Sequence, residues 1–129
     1  MTRHDLALAG WVAVGGAVGS VGRYLVALAL PRGGFPFATL VVNVAGSFAI
    51  GLVLRWAAQP GASAELRLFL ATGLCGGFTT LSALSAETVT MLQEGAHGRA
   101  LAYVTFTIVL SLAATVLALL VGRTAGSTL

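Results

Sequence analysis

Four long apolar stretches decide what this chain can be. Leu6 to Leu30, Phe37 to Trp56, Leu66 to about Met91 and Ala100 to Val121 are each long enough to cross a bilayer as a helix, which takes about 20 residues. Of the 129 residues, 57% are hydrophobic and 9% are charged, which excludes an ordinary soluble domain. The expected fold is an all-α membrane protein, a single four-helix transmembrane domain over residues 1–129. The first stretch is too long for a cleavable signal and lacks a small-residue cleavage site, so it is expected to remain as a span.

The third stretch is the unusual one. From Thr72 to Glu87 it concentrates glycines, hydroxyls and a carboxylate. Gly73, Gly76 and Gly77 let a helix give way, Thr79 and Thr80 follow, and helical spacing resumes towards Glu87. In lipid, a backbone group released from helical pairing finds no water, so an interruption survives only where protein, an ion or an aqueous cavity meets it. The pattern predicts a broken third helix with the other spans packed around it.

Two further stretches carry polar stripes. Thr39, Asn43 and Ser47 stand four apart in the second, and Tyr103, Thr107, Ser111 and Thr115 stand four apart in the fourth. Residues four apart share a helical face. A lone Ser or Thr can bond back to the preceding turn, whereas the amide of Asn43 has two N–H donors and hides less easily. Asn43 therefore reads either as glue between helices or as a donor lining a pore. In the first stretch, Gly15 and Gly19 form a G-x-x-x-G pair, extended by Gly22, which lets another backbone approach closely. Arg23, inside the membrane end of that helix, either snorkels to the interface or sets a positive potential at a vestibule.

All seven basic residues are arginines, scattered singly, so the net charge of +3 does not indicate nucleic-acid binding. With four crossings, Arg3, Arg55, Arg67 and Arg123 share one side of the membrane, and Arg32 and Arg99, with Arg23 nearby, the other. The excess is weak, so the orientation rule based on basic loops leaves both orientations open. Two oppositely oriented copies could then pair. Cys75 is the only cysteine, which excludes an internal disulfide. No nucleophile–base arrangement is visible, and an enzyme is not expected. The stripes offer N–H and O–H donors without ionised groups, and donors of that kind suit the dehydration of a small anion. Glu87 is the exception, one to two turns beyond Ser82.

These residues resemble a known family. Gly16 to Tyr24 with its Arg23-Tyr24 ending, Thr39-Leu-Val-Val-Asn43 followed by Gly46-Ser-Phe, and Gly73-x-Cys-Gly-Gly-Phe-Thr-Thr80 with Ser82 and Glu87 are similar to the Fluc/CrcB fluoride channels. The resemblance implies a fluoride-specific channel that passively exports cytoplasmic fluoride. It also implies an antiparallel, dual-topology homodimer in the cell's inner or plasma membrane, with a structural Na⁺ at its centre. The cation's ligands would fall on the backbone carbonyls of Gly76 and Thr79. The pore residues carried over are Asn43 and Tyr103, with Thr80 and Ser111 along the polar track. Ser82 would lie near the anion path, Arg23 at a vestibule, and Glu87 would be a modulating carboxylate.

One departure stands out. Where the family motif carries two phenylalanines, this chain has Leu81 and Leu84, with Ala83 between them. Leucine matches the bulk but lacks the positive ring edge that can face an anion. Altered conduction, rescue by Phe78 or Phe106, and a heterodimer with a phenylalanine-bearing subunit all remain open. Outside the family, the rivals are a small dual-topology proton-coupled exporter, for which Glu87 is the sole candidate carboxylate, and a purely structural membrane subunit.

Overall fold

The computed structural model describes residues 1–125. Four helical spans account for nearly all of them: Arg3–Ala29, Phe37–Ala57, Ala64–Gln93 and His97–Ala125. Each is long and apolar enough to cross a membrane. The first and third helices begin earlier than their apolar stretches because polar caps extend them. Thr2 and Asp5 cap the first reciprocally: the Asp5 N–H donates to Thr2 Oγ1 at 3.2 Å, and the Thr2 N–H donates to Asp5 Oδ2 at 2.7 Å. Ser63 Oγ accepts the Leu66 N–H at 3.0 Å at the start of the third.

The connections are short. At 31–36 two glycines take positive φ, Gly33 at 114° and Gly34 at 71°, and Arg99 ties the turn to the fourth span by donating from Nη1 to the Gly34 carbonyl at 2.8 Å. After the third span, the Gly95 N–H donates to Leu92 O and the Ala96 N–H to Met91 O. That paired closure requires the left-handed residue Gly95, at φ 77°. His97 precedes the fourth apolar stretch, yet it is the exposed first residue of the fourth helix. The closure uses Gly95 and Ala96, so the next helix can start at once.

The third span is not uniform. It runs as α-helix over Ala64–Arg67, as π-helix over Leu68–Cys75 and as α-helix again over Gly76–Phe78. Thr79 (φ −81°, ψ 159°) and Thr80 (φ −154°, ψ 116°) are extended, and α-helix resumes over Leu81–Gln93. The part before Thr79 is called the leading half below, and Leu81–Gln93 the trailing half.

The first span packs on the leading half, backbone to backbone. A Cβ at Gly15 would stand 2.3 Å from Phe69 O, and one at Gly19 would stand 2.2 Å from Leu74 O. From the other side, Cβ atoms at Gly73 and Gly77 would meet Val12 O at 2.8 Å and Gly16 O at 2.5 Å. No side chain fits in this seam. The second span packs along the fourth, and a small buried core of Leu84, Met91, Ala100 and Tyr103 joins the trailing half to the fourth span. Outward faces are apolar, with Leu101, Val109, Leu112 and Val116 exposed along the fourth span. Such faces are stable against lipid and not against water.

Candidate functional site

The second span, the two halves of the third and the fourth span enclose a cleft of about 490 Å³. Asn43, Ser47, Gly76, Thr79, Thr80 and Ser111 all reach it. They come together because Gly46 leaves room for the third span where it is extended: a Cβ at Gly46 would stand 2.3 Å from Thr79 Cγ2.

Asn43 is buried and makes two hydrogen bonds to a single residue. Its Nδ2 donates to the Thr80 carbonyl at 3.1 Å, and its Oδ1 accepts the Thr80 N–H at 2.7 Å. One of its two N–H hydrogens stays uncommitted to that pair. Thr80 Oγ1 accepts the Ala83 N–H at 3.1 Å and shares a hydrogen with Ser82 Oγ at 3.1 Å. Ser82 itself is exposed.

These bonds change the accounting along the third span. In a continuous helix the Thr80 N–H would serve the Gly76 carbonyl and the Ala83 N–H the Thr79 carbonyl. Here the first goes to Asn43 and the second to the Thr80 hydroxyl. The Thr79 hydroxyl turns back to Cys75 O at 2.9 Å. The Gly76 and Thr79 carbonyls thus lose their helical donors beside the cleft.

The fourth-span hydroxyls share one face but not one role. Thr107 Oγ1 donates back to Tyr103 O at 2.7 Å, and Thr115 Oγ1 is 2.9 Å from Ser47 O and 3.2 Å from Ser111 O. Both are occupied by carbonyls, the bland outcome for hydroxyls in a membrane helix. Ser111 Oγ is buried with no partner in the protein and lines the cleft.

Tyr103 is wholly buried, its ring edge-on to Phe35 at 5.5 Å between centroids. Its hydroxyl donates to Glu87 Oε2 at 2.5 Å, and Thr39 Oγ1 donates to Glu87 Oε1 at 2.9 Å. The sequence reading set Glu87 apart from the stripes; the fold joins it to both, one hydroxyl from each. Thr39, a stripe member by its spacing, is the second-span donor to this carboxylate. Its signal was available in principle, since a carboxylate at membrane depth must find donors. The separation of 48 residues gave no indication of which. Arg23 and Glu87 border a second cavity of about 330 Å³, with Thr80 also in its wall.

Leu81 and Leu84 also differ from one another. Both line the cleft, but Leu81 is 75% exposed, whereas Leu84 is 7% exposed and belongs also to the core with Met91 and Tyr103. Cys75, buried, lines the cleft as a small apolar residue. Among the described residues no cluster of three His, Cys, Asp or Glu side chains could hold a metal, so a cation here would depend on backbone oxygens.

A small multi-pass membrane protein with an amide- and hydroxyl-lined cleft beside an extended membrane segment is the class that this fold and site define. Residues 10–119 match the family described as CrcB-like protein, Camphor Resistance (CrcB). The chain is 47% identical over 116 residues to a protein of Agrobacterium fabrum named fluoride-specific ion channel FluC, covering 87% of this chain and 93% of that one. It is 54% identical over 96 residues to the FluC of Thermus thermophilus, covering 71% and 76%. A third FluC, from Caulobacter vibrioides, is 44% identical over 117 residues, covering 87% and 92%. The chain belongs to the CrcB family.

Proposed function

We propose that this chain is a fluoride channel that lets cytoplasmic fluoride leave the cell passively. The observation that carries the reading is a cleft at membrane depth lined both by Asn43, one N–H of which is outside its Thr80 pair, and by Ser111, whose hydroxyl has no partner in the protein. A small anion sheds its water only if the protein substitutes donors of similar quality, and these are uncharged donors in an apolar wall. Relatives covering most of the chain are named as fluoride-specific channels. Weak-acid HF enters across the bilayer and ionises at cytoplasmic pH, and fluoride would then exit down the inside-negative potential.

In this reading the third span works as a helix broken at Thr79 and Thr80. Two copies pair in opposite orientations, each closing the other's open cleft. Support for the pairing is the weak arginine asymmetry across the membrane and the open side of a cleft that sets a few amide and hydroxyl groups in an apolar wall. A structural Na⁺ would be held by the Gly76 and Thr79 carbonyls, hard oxygen ligands that have lost their helical donors. When bound, it would supply a fixed positive charge that neutralises those carbonyls. Tyr103 contributes by holding Glu87, Ser82 lies near the path through its bond to Thr80, Arg23 draws anions to the vestibule, and Glu87 modulates them.

The test is fluoride efflux from liposomes that contain this chain alone, read with a fluoride electrode. Electrogenic efflux without a proton gradient is expected, and Asn43→Asp should suppress it at least tenfold by placing negative charge on the path. Flux that requires a proton gradient would overturn the channel reading in favour of an exporter acting through Glu87. The exposed Leu81, standing where the family motif has an aromatic ring, favours one second reading. If efflux appears only on co-reconstitution with a similar subunit that bears the phenylalanines, the chain is half of a heterodimer.

A further inference from the structure

We propose that Asn43 is the lock that keeps the third span extended at Thr79 and Thr80, a positioning role separate from any contact with a permeating ion. The inference rests on the channel reading for its functional meaning but on backbone geometry for its substance. In an extended residue, the N–H and C=O point to the same side of the chain, as they do in a paired β-strand. In a helical residue they point to opposite ends of the axis. A primary amide carries one carbonyl and one NH₂ side by side, so it can satisfy both groups of an extended residue at once and cannot do so for a helical one.

Asn43 does this to Thr80, at 2.7 Å to the N–H and 3.1 Å to the carbonyl. The side chain thus discriminates between the two conformations of the span, and only such differential interaction can shift an equilibrium between them. Its surroundings add weight. Asn43 is 8% exposed and Thr80 is 8% exposed, so both partners are largely screened from water, and a buried polar group left unpaired is costly. The second span supplies the space as well as the amide, because Gly46, three residues on, leaves room for Thr79. With the lock in place, the Gly76 and Thr79 carbonyls stay released; without it, the Thr80 N–H would have the Gly76 carbonyl as its nearest partner along the chain.

Span length tests this directly. Two extended residues advance about 3.3 Å each and two helical residues about 1.5 Å each, so healing the helix shortens the span by about 4 Å. Spin labels would be placed at Leu66→Cys and Gln93→Cys in a Cys75→Ala background, with the labelled chain diluted in excess unlabelled chain in liposomes. Double electron–electron resonance then gives the end-to-end distance. Asn43→Leu, of similar shape and without the amide, is expected to move the distribution about 4 Å shorter, and Ser111→Ala to leave it in place. An unchanged distance in Asn43→Leu overturns the lock, whatever happens to flux.

If Asn43→Leu does not fold, Asn43→Ala, which deletes the amide without adding an apolar side chain to the cleft, takes its place. The same shift is expected there, and an unchanged distribution is again fatal to the proposal. The distance readout also separates the two levels of argument. A shift on Asn43→Leu, where the unsubstituted chain conducts fluoride neither alone nor with a phenylalanine-bearing subunit, would sustain the lock and sink the channel reading.

Discussion

The two faces of the third span make opposite uses of small and polar residues. Towards the first span, Gly15, Gly19, Gly73 and Gly77 remove every side chain so that backbones touch. Towards the second and fourth spans a small residue, Gly46, also occurs, but amide and hydroxyl groups stand beside it and a cleft is left open. In lipid there is no hydrophobic drive to join helices, so close packing and interhelical hydrogen bonds must hold them. The molecule assigns packing to one face and hydrogen bonding to the other. The dry face holds the leading half still, and the wet face can then keep a span extended without the bundle coming apart.

The largest effect should come from breaking the dry face. Gly19→Ala places a methyl 2.2 Å from a backbone oxygen that cannot move aside, and overpacking of this kind costs about 1–3 kcal/mol or more. We expect a fall in thermal stability in detergent and loss of fluoride efflux together. Gly10→Ala, with nothing within 4 Å of the added Cβ, should change neither.

The two leucines come next, and they sharpen the comparison within the wet face. Leu84→Phe forces a ring into the core against Tyr103 and Met91 and should lower stability by about 1–3 kcal/mol. Leu81→Phe adds a ring where the side chain is 75% exposed; stability should be retained and efflux raised. Equal behaviour of the two variants would erase the distinction drawn between them.

The smallest effects are at the hydroxyls, and they should differ in sign. Tyr103→Phe removes a donor from Glu87 and should destabilise by about 1–2 kcal/mol, the range of interhelical hydrogen bonds in membranes. Ser111→Ala removes a hydroxyl that has no partner in the protein. It should leave stability unchanged or slightly raised while reducing efflux several-fold. A loss of stability in Ser111→Ala would mean that the hydroxyl serves packing and not an ion.

Much of this was legible in the sequence. Span number, the glycine face of the first helix and the polar stripes are all local or periodic properties. A helix advances about 100° per residue whatever surrounds it, so spacing tells which residues share a face. The family resemblance rested on residues read in the same way, and the match over residues 10–119 agrees with it. Boundaries were less legible: apolar content starts the fourth span at Ala100, whereas the glycine closure at Gly95 lets its helix start at His97.

What spacing cannot say is what the neighbouring helix brings to that face. The amide of Asn43 meets Thr80 across 37 residues, and the carboxylate of Glu87 meets Thr39 across 48. Tyr103, Thr107, Ser111 and Thr115 were equivalent as a row, yet packing occupied three of them and left Ser111 alone. Leu81 and Leu84, three residues apart on one helix, went to a surface and a core. The sequence by itself settled which groups lie at membrane depth, because hydropathy and helical geometry need nothing beyond the chain. Only the tertiary structure decided which of them are spent on one another, because a hydrogen bond acts over about 3 Å and takes no account of distance along the chain.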